Sequence, residues 1–227
     1  MNVRTAIHFR KSFFGEAERP IAEAHGMTAS LFRYDSGIEA VRLSNRRGHL
    51  VVLPYYGQMV WDAVFDGVDL TMANMFDMPR PASEIVGTYG CFAFHSGLLR
   101  NGCPGPQDSH PLHGEMPCAS MDAAGLEVGE DDEGPYMALT GRREYVMGFG
   151  AHYVARPRVV SAPRLRPVRH PDGGGKPVGC DDGPDVHVPR QLRLRRGRAH
   201  RPARSLHAGG DGGAHRGAGP CAAQPRL

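Results

Sequence analysis

The chain is poor in several of the features that usually announce a function. Its 227 residues hold one tryptophan, seven tyrosines and nine phenylalanines, and no aromatic residue follows Tyr153. There is no uninterrupted apolar run of about 18 residues, the length a membrane-spanning helix needs, so no membrane partner is expected. Met1 to Pro20 carries Arg4, Arg10, Lys11, Glu16 and Glu18 without an apolar stretch between them. A secretory leader is therefore not expected. The five cysteines (Cys91, Cys103, Cys118, Cys180 and Cys221) are odd in number and scattered, with no Cys-x-x-Cys pair. That pattern indicates neither a zinc ribbon nor a disulfide framework, and a reducing cytoplasm is the expected compartment. After residue 26 no amphipathic pattern longer than two helical turns appears, and there is no internal repeat.

What is present is divided unevenly. The formal net charge is +3, but residues 161–227 hold 13 Lys+Arg against 5 Asp+Glu, whereas residues 1–160 hold 14 against 19. The basic excess thus belongs to a tail of Arg, Gly, Pro, Ala and His with no Ile, Met, Phe, Tyr or Trp. Such a tail offers too little apolar surface to offset the entropy of ordering it. Its charge describes the tail and not the folded part, so no nucleic-acid partner is expected. The composition is also what GC-rich DNA yields when read out of frame. Shifted by one base with GC-leaning codons, Val168 to Pro202 can spell an alternating string containing CHVNF. The tail is therefore expected to be a disordered, non-native product of a frame slip near residue 162.

Between the ends, the texture is that of β structure. Ser30–Tyr34 alternates and Asp35-Ser36-Gly37 turns. Ile38–Leu43 alternates apolar with polar, Asn45-Arg46-Arg47-Gly48 turns again, and His49–Leu53 reads as a buried strand. Asp66-Gly67, between the apolar runs Gln58–Phe65 and Val68–Met72, is a strong hairpin signal. Residues 73–114 form a long loop rich in Gly, Pro, His and Asn, a length usually reserved for function. Strand texture returns at Cys118–Met121, Gly125–Val128, Tyr136–Thr140, Arg143–Met147 and His152–Val160. Many short strands with regular turns predict an all-β sandwich or barrel. The domain plan is an N-terminal arm (1–27), a β domain (28–160) and the tail (161–227).

The long loop concentrates His95, Arg100, Asn101, Cys103, Asp108, His110, His113 and Glu115. Three chemistries are open to it. His110 and His113 with a carboxylate have a loose metal-ligand spacing. One of Cys91, Cys103 or Cys118 with a histidine could act as a nucleophile, though nothing singles one out. A histidine that titrates near neutrality, with Arg or Asn to hold hydroxyls, suits proton transfer on a polar substrate. Each has a plainer rival: His95 as a structural histidine, Asn101 as a turn former, Glu115 as a partner of Arg100, Cys91 and Cys118 as small buried fillers.

Gly97-Leu98-Leu99-Arg100-Asn101-Gly102, followed by Pro111-Leu112-His113-Gly114, resembles the aldose 1-epimerases, or galactose mutarotases. The stretch from Gly87 to Pro117 looks closest to an uncharacterised branch of that superfamily. Gly57-Gln58-Met59-Val60-Trp61-Asp62 is similar to the glycine-led strand that precedes the family's sugar loop. The resemblance spans about residues 28–160, roughly the first half of a family domain. It implies a partial galactose-mutarotase-like β-supersandwich that takes a sugar substrate and needs neither metal nor organic cofactor. In that frame His113 is the catalytic histidine near the ring oxygen, and Arg100, Asn101 and His95 are substrate-binding. The family's second histidine and its glutamate have no match in this chain, so little anomer exchange is expected from it. Two alternatives from other classes stand beside this one: a non-catalytic carbohydrate-binding module, and a metal-dependent enzyme using His110 and His113. The sequence names neither the sugar nor the oligomeric state.

Overall fold

The computed structural model describes residues 4–163 and 193–195. Its strands, all antiparallel, form two sheets of six strands each, with no α-helix among the described residues. The first sheet runs β1 (Arg4–His8), β8 (Ala123–Asp131), β9 (Gly134–Val146), β11 (Arg158–Ser161), β12 (Arg193–Arg195), with β10 (His152–Ala155) also on β9. The second is a meander in chain order: β2 (Arg19–Ala24), β3 (Met27–Arg33), β4 (Glu39–Asn45), β5 (Gly48–Leu53), β6 (Met59–Phe65), β7 (Val68–Asp69). The all-β prediction holds.

The alternation visible in the sequence builds the interface between the sheets. Met27, Ala29 and Leu31 of β3, Val41 and Leu43 of β4, Leu50 and Val52 of β5, and Val60, Ala63 and Phe65 of β6 face inward. There they meet Leu126, Met137, Leu139 and Val159 of the first sheet in one buried cluster. Burial of this kind stabilises by about 25 cal/mol per Å² of apolar surface removed from water. Several of the opposite-face positions of the second sheet are also apolar. Phe32, Ala40, Val51, Leu53, Met59 and Trp61 form a second cluster on its outer face, together with Ile85 and Cys91 of the long loop. A sheet covered on both faces needs apolar residues at consecutive positions, which is why Leu50–Leu53 reads as an unbroken run.

The predicted hairpin at Asp66-Gly67 forms, with φ of 53° and 77° at the two residues and Arg47 clamping Asp66 in an ion pair. Positive φ at both central residues matches the right-handed twist of the flanking strands. Other boundaries moved. The segment read as an N-terminal arm gives β1 to the first sheet and β2 to the second, separated by a 3₁₀ turn at Lys11–Phe13. Cys118–Met121 is not a strand; it joins the second sheet's β5–β6 connection through a bridge from Ser120 to Tyr56 and hydrogen bonds with Tyr55 and Gly57. The two runs expected at Tyr136–Thr140 and Arg143–Met147 are one strand of 13 residues. Its first half pairs with β11 and its last four residues with β10.

The expectation for the tail falls mainly outside the described residues. Within it, Arg193–Arg195 pairs with Arg158–Val160, so those three residues depart from a tail without strands.

Candidate functional site

The long loop leaves the second sheet after β7 and returns at Ser120. Its only regular element is a 3₁₀ turn, Ile85–Thr88. Tyr89, Phe94, Leu112 and Cys118 pack with Ile85 and Cys91 against the outer face of the sheet. Phe92 and Ala93 exchange backbone hydrogen bonds with Trp61 and Val60 at 2.8–3.1 Å, so the loop is laid onto β6.

Within it, residues 97–115 close on themselves. The Gly97 N–H donates to the His113 carbonyl at 2.7 Å, and the His113 N–H donates to the Gly102 carbonyl at 2.9 Å. The Arg-Asn motif and the Leu-His-Gly motif, separate in sequence, thereby become one structural unit. The glycines have steric reasons. Gly97 is buried, and a side chain there would strike the Arg100 carbonyl and Glu115. Gly114 has φ of +82° and lies against the Arg100 carbonyl. His113 itself has φ of +60°, a conformation uncommon outside glycine and concentrated at turns and functional sites.

Glu115 closes the unit from below. Its Oε1 accepts from the Leu98 N–H at 2.8 Å, the Leu99 N–H at 3.2 Å and the Tyr153 hydroxyl at 2.7 Å. Arg143 donates to its main-chain carbonyl at 2.8 Å. Burial pushes the Glu115 carboxyl up, but the Tyr153 hydroxyl and the backbone N–H groups outweigh it and hold the group below its ordinary value. Burial, reinforced by Glu115, pushes the Tyr153 hydroxyl well above its own. Glu115 is therefore an ionised brace for the loop, engaged with backbone and Tyr153, where sequence reasoning had offered Arg100 as its partner.

Of the predicted site residues, Arg100 and Asn101 are exposed on this unit. Arg100 donates to the neighbouring Leu99 carbonyl at 3.2 Å, which leaves most of its guanidinium in solvent. The Asn101 side-chain oxygen accepts from the Gly102 N–H at 2.7 Å, the turn-forming role weighed for it above. His113 is half-buried with its ring 5.1 Å from that of Phe94. His95 is half-buried next to Phe94. His110 is held locally, its Nδ1–H donating to the Pro111 carbonyl at 2.9 Å and its Nε2 lying 3.9 Å from Asp108.

The rival chemistries fare less well. Among the described residues, no three His, Cys, Asp or Glu side chains converge as a metal-ligand set, so His110 and His113 do not share one. Burial raises the Cys91 thiol to about 11, and burial also raises Cys118, over a hydrogen bond with Tyr56 that opposes it. Both therefore stay protonated near neutrality and are poor nucleophiles. Cys103 is bonded in a disulfide. It offers no free thiol.

Among the described residues two cavities lie elsewhere, and none of His95, Arg100, Asn101 or His113 lines either. One, of about 220 Å³, lies between Lys11, Glu39, Tyr55, Tyr56 and Cys118. The other, of about 460 Å³, is bordered by Tyr34, Trp61, Asp62, Asp69, Phe76 and Asp77 among others. Sequence reasoning passed over the second. Its signal was the lone tryptophan followed directly by an aspartate, at a strand position whose side chain leaves the sandwich core.

No family model, curated protein or solved structure matches the chain.

Proposed function

We propose that this chain is an aldose 1-epimerase-like protein that binds a sugar or sugar derivative at the loop closed by Gly97 and His113. The observation that carries the reading is that closure. The 2.7 Å bond from Gly97 to His113 joins the two motifs on which the resemblance rests. The strained backbone of His113 supports it, since such conformations gather at functional sites.

In this reading the solvent-facing Arg100 guanidinium donates to sugar hydroxyls, Asn101 shapes the turn beside it, and His113 meets the ring oxygen. His95, on the strand-hugging part of the loop, is the more remote contact. Anomer exchange requires an acid at the ring oxygen and a base at the C1 hydroxyl on the same sugar. Each positioned acid or base contributes about 10²–10⁴-fold. His113 can serve as one of them. Residues 1–227 contain no match to the family's second histidine or to its glutamate, and Glu115 is committed to the loop. The chain is thus proposed to bind without appreciable turnover.

The test is saturation-transfer NMR of the 227-residue chain with a panel of aldoses, with exchange spectroscopy of the two anomers in the same tubes. Binding that weakens in Arg100→Ala and His113→Ala, with anomer exchange no faster than in buffer, supports the proposal. Absence of aldose binding, or binding indifferent to both substitutions, overturns it. Rapid exchange by the unaltered chain would overturn the claim of weak turnover.

A further inference from the structure

The cavity of about 460 Å³ beside Trp61 is lined by the first part of the long loop but by none of His95, Arg100, Asn101 or His113, and its lining is distinctive in two independent ways. Its aromatic wall consists of Trp61 on β6, Tyr34 at the end of β3 and Phe76 on the loop after β7. Its polar wall carries Asp62, Asp69 and Asp77, and among the described residues no Lys, Arg or His lines it. The volume is within the usual range for a small-molecule site.

The three carboxylates are not equivalent. Asp62 is tied into the fold, accepting from the Thr71 hydroxyl at 2.9 Å and facing His49 Nε2 at 3.0 Å. Asp69 accepts from the Thr71 N–H at 2.8 Å. Asp77 is exposed and makes no hydrogen bond or ion pair among the described residues. The carboxylates line a wall and do not converge on a point, for no metal-ligand set forms there. Tyr34 borders the same space. Burial, with Asp62 adding to it, raises Tyr34 to about 12, so it remains a neutral ring with a polarised face.

Aromatic faces attract a cation through their quadrupole, most strongly when the cation is stripped of water. Carboxylates around the rim add attraction of the same sign and repel anions. Arg80 already stacks its guanidinium over Phe76, 5.7 Å from the ring centroid, which shows one ring of this wall accepting a cation. A compact metal ion would need converging oxygens, and a phosphate or carboxylate ligand would meet three like charges.

We propose that the cavity bordered by Trp61, Tyr34, Phe76, Asp62, Asp69 and Asp77 is a binding site for an organic cation, an amine or quaternary ammonium head group small enough to enter between the aromatic and acidic walls.

The lone tryptophan makes this measurable, because all indole fluorescence of the chain comes from this cavity. The 227-residue protein is titrated with choline, with 3,3-dimethyl-1-butanol as its uncharged isostere, and with galactose and calcium chloride separately. Choline is expected to change Trp61 emission saturably, and the isostere to bind at least about 5-fold more weakly, in line with the size of a desolvated cation–π contact. Asp77→Asn is expected to weaken choline about 2- to 10-fold while the far-ultraviolet circular dichroism stays unchanged, because Asp77 is exposed and holds nothing in the fold. Raising the salt should weaken binding further by screening the rim. Equal response to choline and its isostere overturns the proposal. So does a response to galactose or calcium with choline silent, or no response to choline at all. These outcomes are separate from aldose binding at Arg100 and His113, which lie outside this cavity.

Discussion

Replacing Glu115 by alanine should release the loop without unfolding the sandwich. Glu115 Oε1 satisfies three donors, the Leu98 and Leu99 N–H groups and the Tyr153 hydroxyl, at 2.7–3.2 Å. Leu99 is exposed and can turn to water when the carboxylate is removed. Tyr153 is only 6% exposed and Leu98 is half-buried, so these two donors lose their partner outright. A hydrogen bond to a charged group is worth about 1.5–3 kcal/mol. The half-exposed carboxylate puts each bond at the low end, which gives a loss of about 2–3 kcal/mol for Glu115→Ala. Glu115→Gln keeps the acceptor oxygen and loses only the charge, so about 1 kcal/mol is expected. Tyr153→Phe combined with Glu115→Ala should lose clearly less than the sum of the two, because they break the same bond. Amide hydrogen exchange of Leu98 and Gly97 is the decisive assay, with urea unfolding as the global measure. The pH dependence has a definite sign. The folded carboxyl titrates below its ordinary value of 4.5, so its contribution is complete above that value and is lost as the pH falls through the folded pKa. Protection at Leu98 should be flat from about pH 5.5 to 8 and fall only in acid. Unchanged protection at Leu98 in Glu115→Ala, together with stability within about 0.5 kcal/mol of the parent, would refute the brace.

Gly114→Ala should destabilise the same loop more than Gly102→Ala. Both glycines have φ of +82°, but a side chain at Gly102 meets open space and one at Gly114 meets the Arg100 carbonyl; exchange at Gly97 should separate the two. Gln58 is fully buried with both side-chain polar atoms lacking a hydrogen-bond partner. Gln58→Met should therefore raise the unfolding free energy measured in urea by about 1–3 kcal/mol, and a loss instead would show that the amide holds an internal water. Leu139→Ala, at 0% exposure between the sheets, should cost about 2–5 kcal/mol by chemical denaturation. Cys91, its thiol raised to about 11, should react with a neutral-pH thiol reagent only at the rate of local opening, which mass spectrometry over time would resolve.

The sequence alone determined the class of fold, because alternation of period two is a local property. Ile38–Leu43 and Ser30–Tyr34 each declare one buried face, and Asp66-Gly67 declares its own turn. It also brought out the loop of residues 73–114 and the chemistry gathered in it, since residue types and spacing are linear facts. What it could not show depends on which segments meet across the fold. The break of residues 1–27 into β1 and β2 follows from pairing with two different strands, β8 and β3, and nothing within those residues announces it. The fusion of Tyr136–Thr140 with Arg143–Met147 follows from β8, whose Ala124 and Ala123 pair with Gly141 and Arg142 and carry the strand through the gap. Glu115 looks like a candidate base or a partner for Arg100 until Tyr153, 38 residues on, arrives from another strand and makes it a brace. The aromatic and acidic cavity is assembled from three stretches, around Tyr34, Trp61–Asp77 and Gly90. Burial, cavities and shared hydrogen bonds are properties of surfaces brought together, and only the packing of the two sheets and the long loop decides them.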